Sequence, residues 1–417
     1  MAKILISSIG VGGGITDYAK ANYKIDDKIY KDEKFIAKAL CEHIGIDKLF
    51  LVGTKKSIWE AVYQDFGGNY ELGLKILEAK ENDKLDEFLP IIEQIIDTKL
   101  GTKGSKCFVI KYGLDDDELW QNFDKFLQIA NNFAKNDEIY MDITHSFRSL
   151  SLMSFVMSEF VSNSLDDELD IKGVYYGMLE YSKENNGITP IVNLSMFFEL
   201  LKWSKAIREL KKYGNAKEIL MLLQKSNDEV GKDVLNKFKS FSDSLSMSDI
   251  TYIQLSINQL KTRMAFFKNN HNNIYRLISK DLEKFIDIFN VSSPSLLQYK
   301  MAIWYYESKN YSMAYIFLTE AFLTAVAENN NTDLQTEEKQ KKVKKIINKR
   351  ANNNTHKKNT HKKDNEYDIY FKIKNIRHSI AHALDLENRK TKITPREAIE
   401  NLPLYIEKVK VLFKDKN

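Results

Sequence analysis

Apolar residues follow two different patterns along this chain, and the pattern changes near residue 194. Before about residue 180, short runs rich in β-branched and aromatic residues alternate with segments whose apolar residues recur every three or four positions. Such alternation predicts strands joined by crossover helices on a mainly parallel sheet. The runs of strand length and composition are Lys3–Ile9, Lys48–Thr54, Lys106–Gly113, Asp137–Thr144 and Asp170–Leu179. We therefore predict a Rossmann-like α/β domain over residues 1–192.

The second half of the chain predicts helices only, because no clear strand pattern follows Leu194. Ser293 precedes Pro294, and a residue before proline disfavours the helical conformation. Directly afterwards a new segment begins whose apolar residues have helical spacing. A domain boundary is expected at this point. The prediction is an all-α linker domain over residues 193–291 and an all-α C-terminal domain over residues 292–417.

A Lys- and Asn-rich segment, residues 336–365, lies inside the last domain. It is nearly devoid of large apolar residues after Ile347, so we expect a mobile loop between helices, with its basic part at about residues 339–363. Such a basic loop either attracts polyanions electrostatically or is simply solvated.

Composition narrows the class of protein. Hydrophobic residues make up 43% of the chain and aromatic residues 12%, as in folded globular proteins. No apolar run approaches the roughly 20 residues that span a bilayer. The first apolar run is followed by glycines and not by the cleavage site of a secretory signal peptide. We therefore expect a cytoplasmic protein without membrane contact. Cys41 and Cys107 are expected to be reduced core residues. The net charge of +4 does not predict nucleic-acid binding over the whole surface.

Four glycines, Gly10, Gly12, Gly13 and Gly14, follow the first predicted strand. Glycines at this position let backbone amides approach a phosphate or a base. The segment is not a dinucleotide fingerprint, because Ile15 stands where the third glycine belongs and the second strand ends without an acidic residue; NAD binding is therefore disfavoured. The alternative is a turn that needs glycine only for its backbone geometry.

A second polar loop, in the sequence DITHSFRSL, follows the fourth predicted strand. Thr144 and Ser146 offer hydroxyl groups, His145 can bond to or stack on a base, and Arg148 can hold a phosphate with two hydrogen bonds. The predicted helix that follows favours anions at its N-terminus. The alternative is that Ser146 merely caps that helix and Arg148 lies on a solvated face. Because ligands bind at the carboxyl ends of strands in such sheets, both loops are expected to border one crevice.

The segment NIRHSIAHA places one arginine and two histidines on a predicted helix. His378 and His382 are four residues apart and share a face, whereas Arg377 and His382 are five apart and therefore about 140° apart around the helix. Two copies facing each other across a twofold axis could pool both residue types in one cleft. The apolar stripe of this helix is predicted to be Ile373, Ile376, Ile380 and Leu384.

Two other interpretations of this helix remain. A zinc site built on His378 and His382 lacks the glutamate of HExxH and an evident third ligand, so we expect no metal. The other is a capped helix with exposed histidines and no catalytic role.

The order of a Gly loop, DITHSFR, a helical linker and R-x4-H as RHSIAH resembles the CRISPR-associated CARF-HEPN ribonucleases of type III systems. DITHSFR is similar to the signature of the branch that binds cyclic tetra-adenylate. Tyr311–Phe322 resembles the first long helix of a HEPN domain, and residues 393–413 resemble its last. That last helix also has a local start signal, with Thr394 as N-cap, Pro395 at N1 and Glu397 closing a capping box.

The resemblance implies an endoribonuclease activated by a cyclic oligoadenylate, with no cofactor and no metal. The 2′-hydroxyl of single-stranded RNA would attack the adjacent phosphodiester and leave a 2′,3′-cyclic phosphate, with Arg377 stabilising charge, His382 transferring a proton and His378 supporting them. The protein would act as a homodimer or higher homo-oligomer. The implied activator pocket consists of Ser8, Gly10, Gly12, Gly13, Gly14, Thr144, His145, Ser146 and Arg148.

Two rival functions come from other classes. One is a ligand-regulated DNA-binding transcription regulator with an inactive helical C-terminal domain, whose best recognition-helix candidate is Leu260–Arg276. The other is a HEPN toxin or inactive interaction module that needs no ligand.

Overall fold

The computed structural model describes residues 1–11, 20–145, 151–153, 155–156, 159–160, 170–224, 229–353, 366–382 and 393–413. The chain divides into two compact units, Met1–Glu199 and Leu200–Asn417. No helix in these ranges is long and apolar enough to cross a membrane.

The first unit is built on an eight-stranded mixed sheet in the order β3-β2-β8-β7-β6-β1-β4-β5. Five of its ladders are parallel, and two, β2 with β3 and β7 with β8, are antiparallel. The Rossmann-like α/β prediction is therefore confirmed. The strands are β1 Lys3–Ile9, β2 Ala21–Ile25, β3 Lys28–Glu33, β4 Lys48–Thr54, β5 Lys106–Ile110, β6 Glu138–Asp142, β7 Asp170–Gly177 and β8 Ile188–Asn193.

Helices cover both faces of the sheet. Along β1, Leu5 and Ile9 join one apolar core while Ile4 and Ile6 join the other, since successive side chains of a strand point to opposite faces. The first core takes residues from α1 to α4, and the second takes residues from α5. The helices are α1 Ile36–Ile44, α2 Trp59–Asp65, α3 Tyr70–Glu81, α4 Leu89–Leu100 and α5 Asp116–Ala130, with 3-10 turns at Leu85–Glu87 and Glu180–Lys183.

Three strands, β2, β3 and β8, were not predicted from the sequence. β2 and β3 form a hairpin at the sheet edge, and its turn is tight because Asp26 adopts a positive φ of 51°. An edge strand can carry charged side chains toward solvent, so lysines and aspartates interrupt the apolar alternation that would have identified this hairpin. Cys41 and Cys107 are buried and free, as predicted.

The second unit is all-α in its described part, and its apolar core runs from Trp203 to Phe413. That core crosses residue 291, where Phe285 and Phe289 both make ring contacts with Trp304. The helices are α6 Ser195–Tyr213, α7 Lys217–Leu223, α8 Glu229–Met247, α9 Ile250–Lys268, α10 Asn273–Phe289, α11 Pro294–Glu307, α12 Tyr311–Glu328, α13 Glu337–Asn353, α14 Glu366–Ala381 and α15 Pro395–Val409, followed by a 3-10 turn at Lys410–Phe413.

Two helix starts in this unit are capped by a side chain near a proline, and the second of them was predicted. Ser293 caps α11 by accepting a hydrogen bond from the Leu296 amide, with Pro294 in the first turn. Thr394 and Glu397 form the predicted capping box at the start of α15.

The prediction of a loop over residues 336–365 was wrong for its first half, because Glu337–Asn353 is the helix α13. Val343, Ile347 and Ala351 are spaced four residues apart and are almost completely buried. This narrow apolar stripe is enough to hold a lysine-rich helix against the core formed by the other helices. The average composition of the segment does not reveal such a stripe, and the helix was therefore not predicted. Residues 354–365 lie outside the described ranges.

A buried ion pair ties α2 to α3. Lys80 Nζ donates to Glu60 Oε2 at 2.6 Å and to the Ser57 carbonyl at 3.0 Å. The side chains of Glu60 and Lys80 are only 1% and 10% exposed. Ser57 Oγ in turn donates to the Ile9 carbonyl at 2.9 Å, so this network reaches the carboxyl end of β1.

We expect Lys80→Met to destabilise the protein by about 3–5 kcal/mol, because it leaves the Glu60 carboxylate buried without its cation. Urea unfolding followed by circular dichroism measures the loss. The double variant Glu60→Leu/Lys80→Met removes both charges and should recover most of it. Lys75→Met, at an exposed lysine of the same helix, is the matched control and should stay near wild type. If the Lys80→Met protein were as stable as this control, the ion pair of Lys80 with Glu60 would not stabilise the fold.

Candidate functional site

The first candidate site lies where β1 and β6 end side by side in the sheet. β1 pairs with β4 on one side and with β6 on the other, so the strand order reverses between β1 and β6. Ligands bind at such switch points in open α/β sheets. Ser8 and His145 line the same small cavity there, together with Phe35 and Ile36, so two predicted pocket residues from distant parts of the chain come together.

A buried carboxylate organises this point. Ser7 Oγ donates to Asp142 Oδ2 at 2.6 Å, and the Thr144 amide donates to Asp142 Oδ1 at 2.9 Å. Asp142 is only 2% exposed. Burial raises the pKa of Asp142 against the opposing effects of His145 and these hydrogen bonds, and burial lowers the pKa of His145. Burial therefore favours an uncharged imidazole at the mouth of the crevice.

Backbone contacts fix the two loops at their starts. Thr144 Oγ1 accepts a hydrogen bond from the Gly177 amide at 2.8 Å, which ties the loop after β6 to the end of β7. A Cβ on Gly177 would lie 3.0 Å from Ile36 and 3.2 Å from Thr144, so glycine permits this close approach. The Gly10 carbonyl accepts from the Ile58 amide at 3.2 Å. The predicted residues Gly12, Gly13, Gly14, Ser146 and Arg148 lie outside the described ranges.

The second candidate site is in the all-α unit, around Arg377 on α14. Ile373 and Ile376 are buried as predicted and Ile380 packs against the core, while Leu384 lies outside the described residues. Arg377 Nη2 forms an ion pair with Glu320 Oε1 of α12 at 3.1 Å. The Nε of Arg377 is buried and finds no acceptor among the described residues. The guanidinium is thus held by one carboxylate and retains an unused donor.

Arg377 and His378 line a cleft of about 520 Å³ with Glu320 of α12. Two lysines add positive charge to the same wall, Lys344 from α13 and Lys374 from α14. Burial and the nearby Glu320 raise the pKa of Tyr370 to about 12. The remaining lining is mixed polar and apolar: Gln298, Thr319, Leu323, Thr324, Leu334, Gln340 and Tyr370.

His382 lies beside His378, outside the lining of this cleft. The centroids of the two imidazole rings are 4.5 Å apart at an interplanar angle of 58°, so the predicted shared face is confirmed. Both rings are exposed. Within one chain, Arg377 and His382 therefore point to different sides of α14, as their spacing predicts.

The described residues include no group of three or more His, Cys, Asp or Glu side chains that could hold a metal ion. The recognition-helix candidate Leu260–Arg276 is not one helix, because α9 ends at Lys268 and α10 begins at Asn273. Lys268 is also paired with Glu283 at 2.6 Å, which leaves it less free for phosphate contacts.

Sequence reasoning missed Asp142, Glu320 and Lys344 as site residues. Glu320 had a readable signal, since it is the single charged residue between Tyr311 and Ala327 in a strongly apolar helix. Asp142 begins the DITHSFR motif and could have been singled out for that reason. Lys344 had none, because its segment was expected to be a loop.

Comparisons with known proteins agree with this architecture. Residues 4–180 match the family model of the CRISPR system endoribonuclease Csx1, CARF domain. Residues 199–293 match that of CRISPR-associated protein MJ1674, second domain. The CRISPR-associated protein MJ1674 of Methanocaldococcus jannaschii is 34% identical over 429 residues, which cover 96% of this chain and 65% of the relative. The chain thus spans somewhat less than two thirds of that relative's length.

Among solved structures, Csm6 of Enterococcus italicus bound to cyclic hexa-2′-fluoro-hexa-dAMP aligns with a TM-score of 0.40 at 14% identity, over 99% of this chain and 94% of that one. A likeness at that level carries no weight in the assignment. The CARF match over the sheet, the match over the following helices and the 34% identity along nearly the whole chain agree with one another. Residues 4–180 are thus similar to a CARF domain and residues 199–293 to the second domain of a CRISPR-associated protein, so the chain resembles CRISPR-associated CARF proteins along nearly its whole length.

Proposed function

We propose that this protein is a metal-independent endoribonuclease that cleaves single-stranded RNA when a cyclic oligoadenylate binds to its CARF domain, and that its C-terminal helices form a HEPN domain. The kinship of its CARF domain with that of the Csx1 endoribonuclease supports the proposal. The observation that carries the proposal is the position of Arg377. Glu320 orients its guanidinium, and its buried Nε has no acceptor among the described residues. Arg377 lines the same cleft as His378.

The chemistry follows from these groups. A phosphodiester in the cleft would accept hydrogen bonds from Arg377, and the guanidinium would stabilise the charge that grows on the phosphoryl oxygens as the ribose 2′-hydroxyl attacks. His382 would transfer a proton at the attacking or leaving oxygen, and His378, in ring contact with it, would orient it. The product would carry a 2′,3′-cyclic phosphate.

A homodimer completes the site in this proposal. His382 lies outside the Arg377 cleft of its own chain. Two copies related by a twofold axis that face each other through α14 would place arginines and histidines of both chains around one RNA phosphate.

The activator proposal rests on the first unit. Ser8, Gly10, Thr144 and His145 border the switch point between β1 and β6, and Gly12, Gly13, Gly14, Ser146 and Arg148 continue the same two loops in sequence. The DITHSFR motif favours cyclic tetra-adenylate among the ring sizes. Its binding would bias the equilibrium between two arrangements of the catalytic helices.

We also propose that the chain divides into three domains, residues 1–192, 193–291 and 292–417. The family match over residues 199–293 supports this division.

Arg377→Ala and His382→Ala should each lower the rate of RNA cleavage at least a hundredfold, since each removes a charge-stabilising or proton-transferring group. Single-turnover cleavage of a fluorescent RNA measures the rate. Thermal unfolding and binding of cyclic tetra-adenylate should be unchanged. Arg396→Ala and His271→Ala replace the same residue types at exposed positions and serve as controls. Near-normal cleavage by either site variant would remove the HEPN assignment.

Cleavage should persist in excess EDTA, because the proposed reaction uses the RNA's own hydroxyl and side chains of the protein. The measurement is cleavage of the same RNA after dialysis against EDTA, with and without added Mg²⁺ or Zn²⁺. An enzyme that is inactive in EDTA and rescued by zinc would favour the histidine–metal interpretation.

Arg148→Ala should shift the activation curve to higher activator concentration by about tenfold or more, the equivalent of one charge-assisted hydrogen-bonding group of roughly 1.5–3 kcal/mol. Basal cleavage and the rate at saturating activator should change much less. The measurement is a titration of cyclic tetra-adenylate against RNA cleavage, with Arg396→Ala as the control. An unshifted curve would mean that this loop does not hold the activator, and a wild type indifferent to every cyclic oligoadenylate would refute the activation mechanism.

A further inference from the structure

The helix α13, Glu337–Asn353, is strongly basic and is oriented by its buried side. Its two acidic residues, Glu337 and Glu338, stand in the first turn, and none follows them before residue 353. Val343 and Ile347 are completely buried, so the helix cannot rotate without exposing them. The lysine side chains therefore have a fixed direction relative to the rest of the unit.

The lysines cover the face of α13 opposite its buried stripe. With about 100° of rotation per residue, Lys341, Lys345, Lys349 and Lys342 fall in succession around the side that faces away from Val343 and Ile347. All four are exposed. Lys344 lies between this face and the buried stripe, on the same side as Gln340, and both Lys344 and Gln340 line the Arg377 cleft. The basic surface is thus continuous with the wall of the cleft.

Most of these charges are not neutralised by carboxylates of the part of the chain that the structure describes. Lys339 pairs with Asp333 at 2.6 Å and Lys341 with Glu337 at 3.5 Å. Within the described ranges, no carboxylate lies within ion-pair distance of Lys342, Lys344, Lys345 or Lys349. We call three of these lysines, Lys342, Lys345 and Lys349, the basic face. Several unpaired lysines held close together repel one another, and an external polyanion relieves that repulsion.

We infer that the basic face of α13 is an RNA-binding surface that guides the single-stranded substrate into the Arg377 cleft, with Lys344 contacting the phosphate nearest the cleft; this inference rests on the proposed ribonuclease function. RNA fits better than an acidic protein because the surface leads into a cleft in which the Nε of Arg377 has no acceptor among the described residues. Lysines bind phosphates as point charges and do not read bases. The contribution of this surface is therefore independent of RNA sequence and sensitive to salt.

The salt dependence gives a quantitative expectation. Each phosphate contact to a single strand contributes a slope of about 0.7 to the fall of log affinity with log salt concentration. Loss of the three lysines of the basic face should therefore reduce this slope by about 2. Over the fourfold range from about 50 to 200 mM salt, a slope of 2 corresponds to roughly sixteenfold in affinity, so the loss of binding should be largest at low salt.

The test compares Lys342→Gln/Lys345→Gln/Lys349→Gln with the control Lys239→Gln/Lys280→Gln/Lys284→Gln, which removes the same charge from exposed lysines of α8 and α10. Full-length proteins saturated with cyclic tetra-adenylate are assayed for cleavage of a fluorescent single-stranded RNA. Binding of the same RNA is measured by fluorescence anisotropy at several salt concentrations in a His382→Ala background. Circular dichroism checks that every variant is folded.

We expect the variant of the basic face to raise KM about tenfold or more at low salt, with the effect on KM rather than kcat, and to lose about 2 from the salt slope of binding. The control should match the wild type. A wild type that binds and cleaves RNA, together with a basic-face variant that behaves like the control, would overturn this inference alone. A wild type that neither binds nor cleaves RNA would overturn the proposed function and this inference together.

Discussion

The register between β1 and β6 is the constraint on which the first candidate site depends. It sets Ser7 opposite Asp142, so that the hydroxyl and the carboxylate meet in the interior and the next residues of both strands emerge together at the switch point. A slip by one residue would turn every side chain of β1 to the other face of the sheet and bury the wrong set. Because β1 is apolar on both faces, two separate cores resist that slip.

The same principle operates in the second unit with helices instead of strands. α14 and α13 each bury a narrow apolar stripe, and the position of each stripe determines where the polar side chains point. Ile373 and Ile376 direct Arg377 toward Glu320, and Val343 and Ile347 direct Lys344 into the same cleft. The positions of the polar side chains in the cleft are thus set by buried residues that do not line it.

How much of this could be predicted from sequence depended on whether the signal was local. β1 and β4 match their predicted bounds, because fully buried strands are continuous apolar runs. The capping box at Thr394 is equally local. The edge hairpin of β2 and β3 and the helix α13 were missed, because their charged surfaces hide apolar positions whose partners are distant in sequence. The pairing of Glu320 with Arg377 joins residues 57 positions apart, and only the packing of α12 against α14 brings them together.

The second candidate site uses a carboxylate to hold its arginine, and this has a cost for anion binding. Glu320 contacts Arg377 at 3.1 Å. The carboxylate fixes the geometry of the guanidinium and cancels part of its positive field. A site arranged in this way positions a phosphate well but attracts it weakly over a distance. Long-range attraction must then come from charges without a carboxylate partner, and among the described residues of the second unit Lys344, Lys374 and the basic face of α13 can contribute to it.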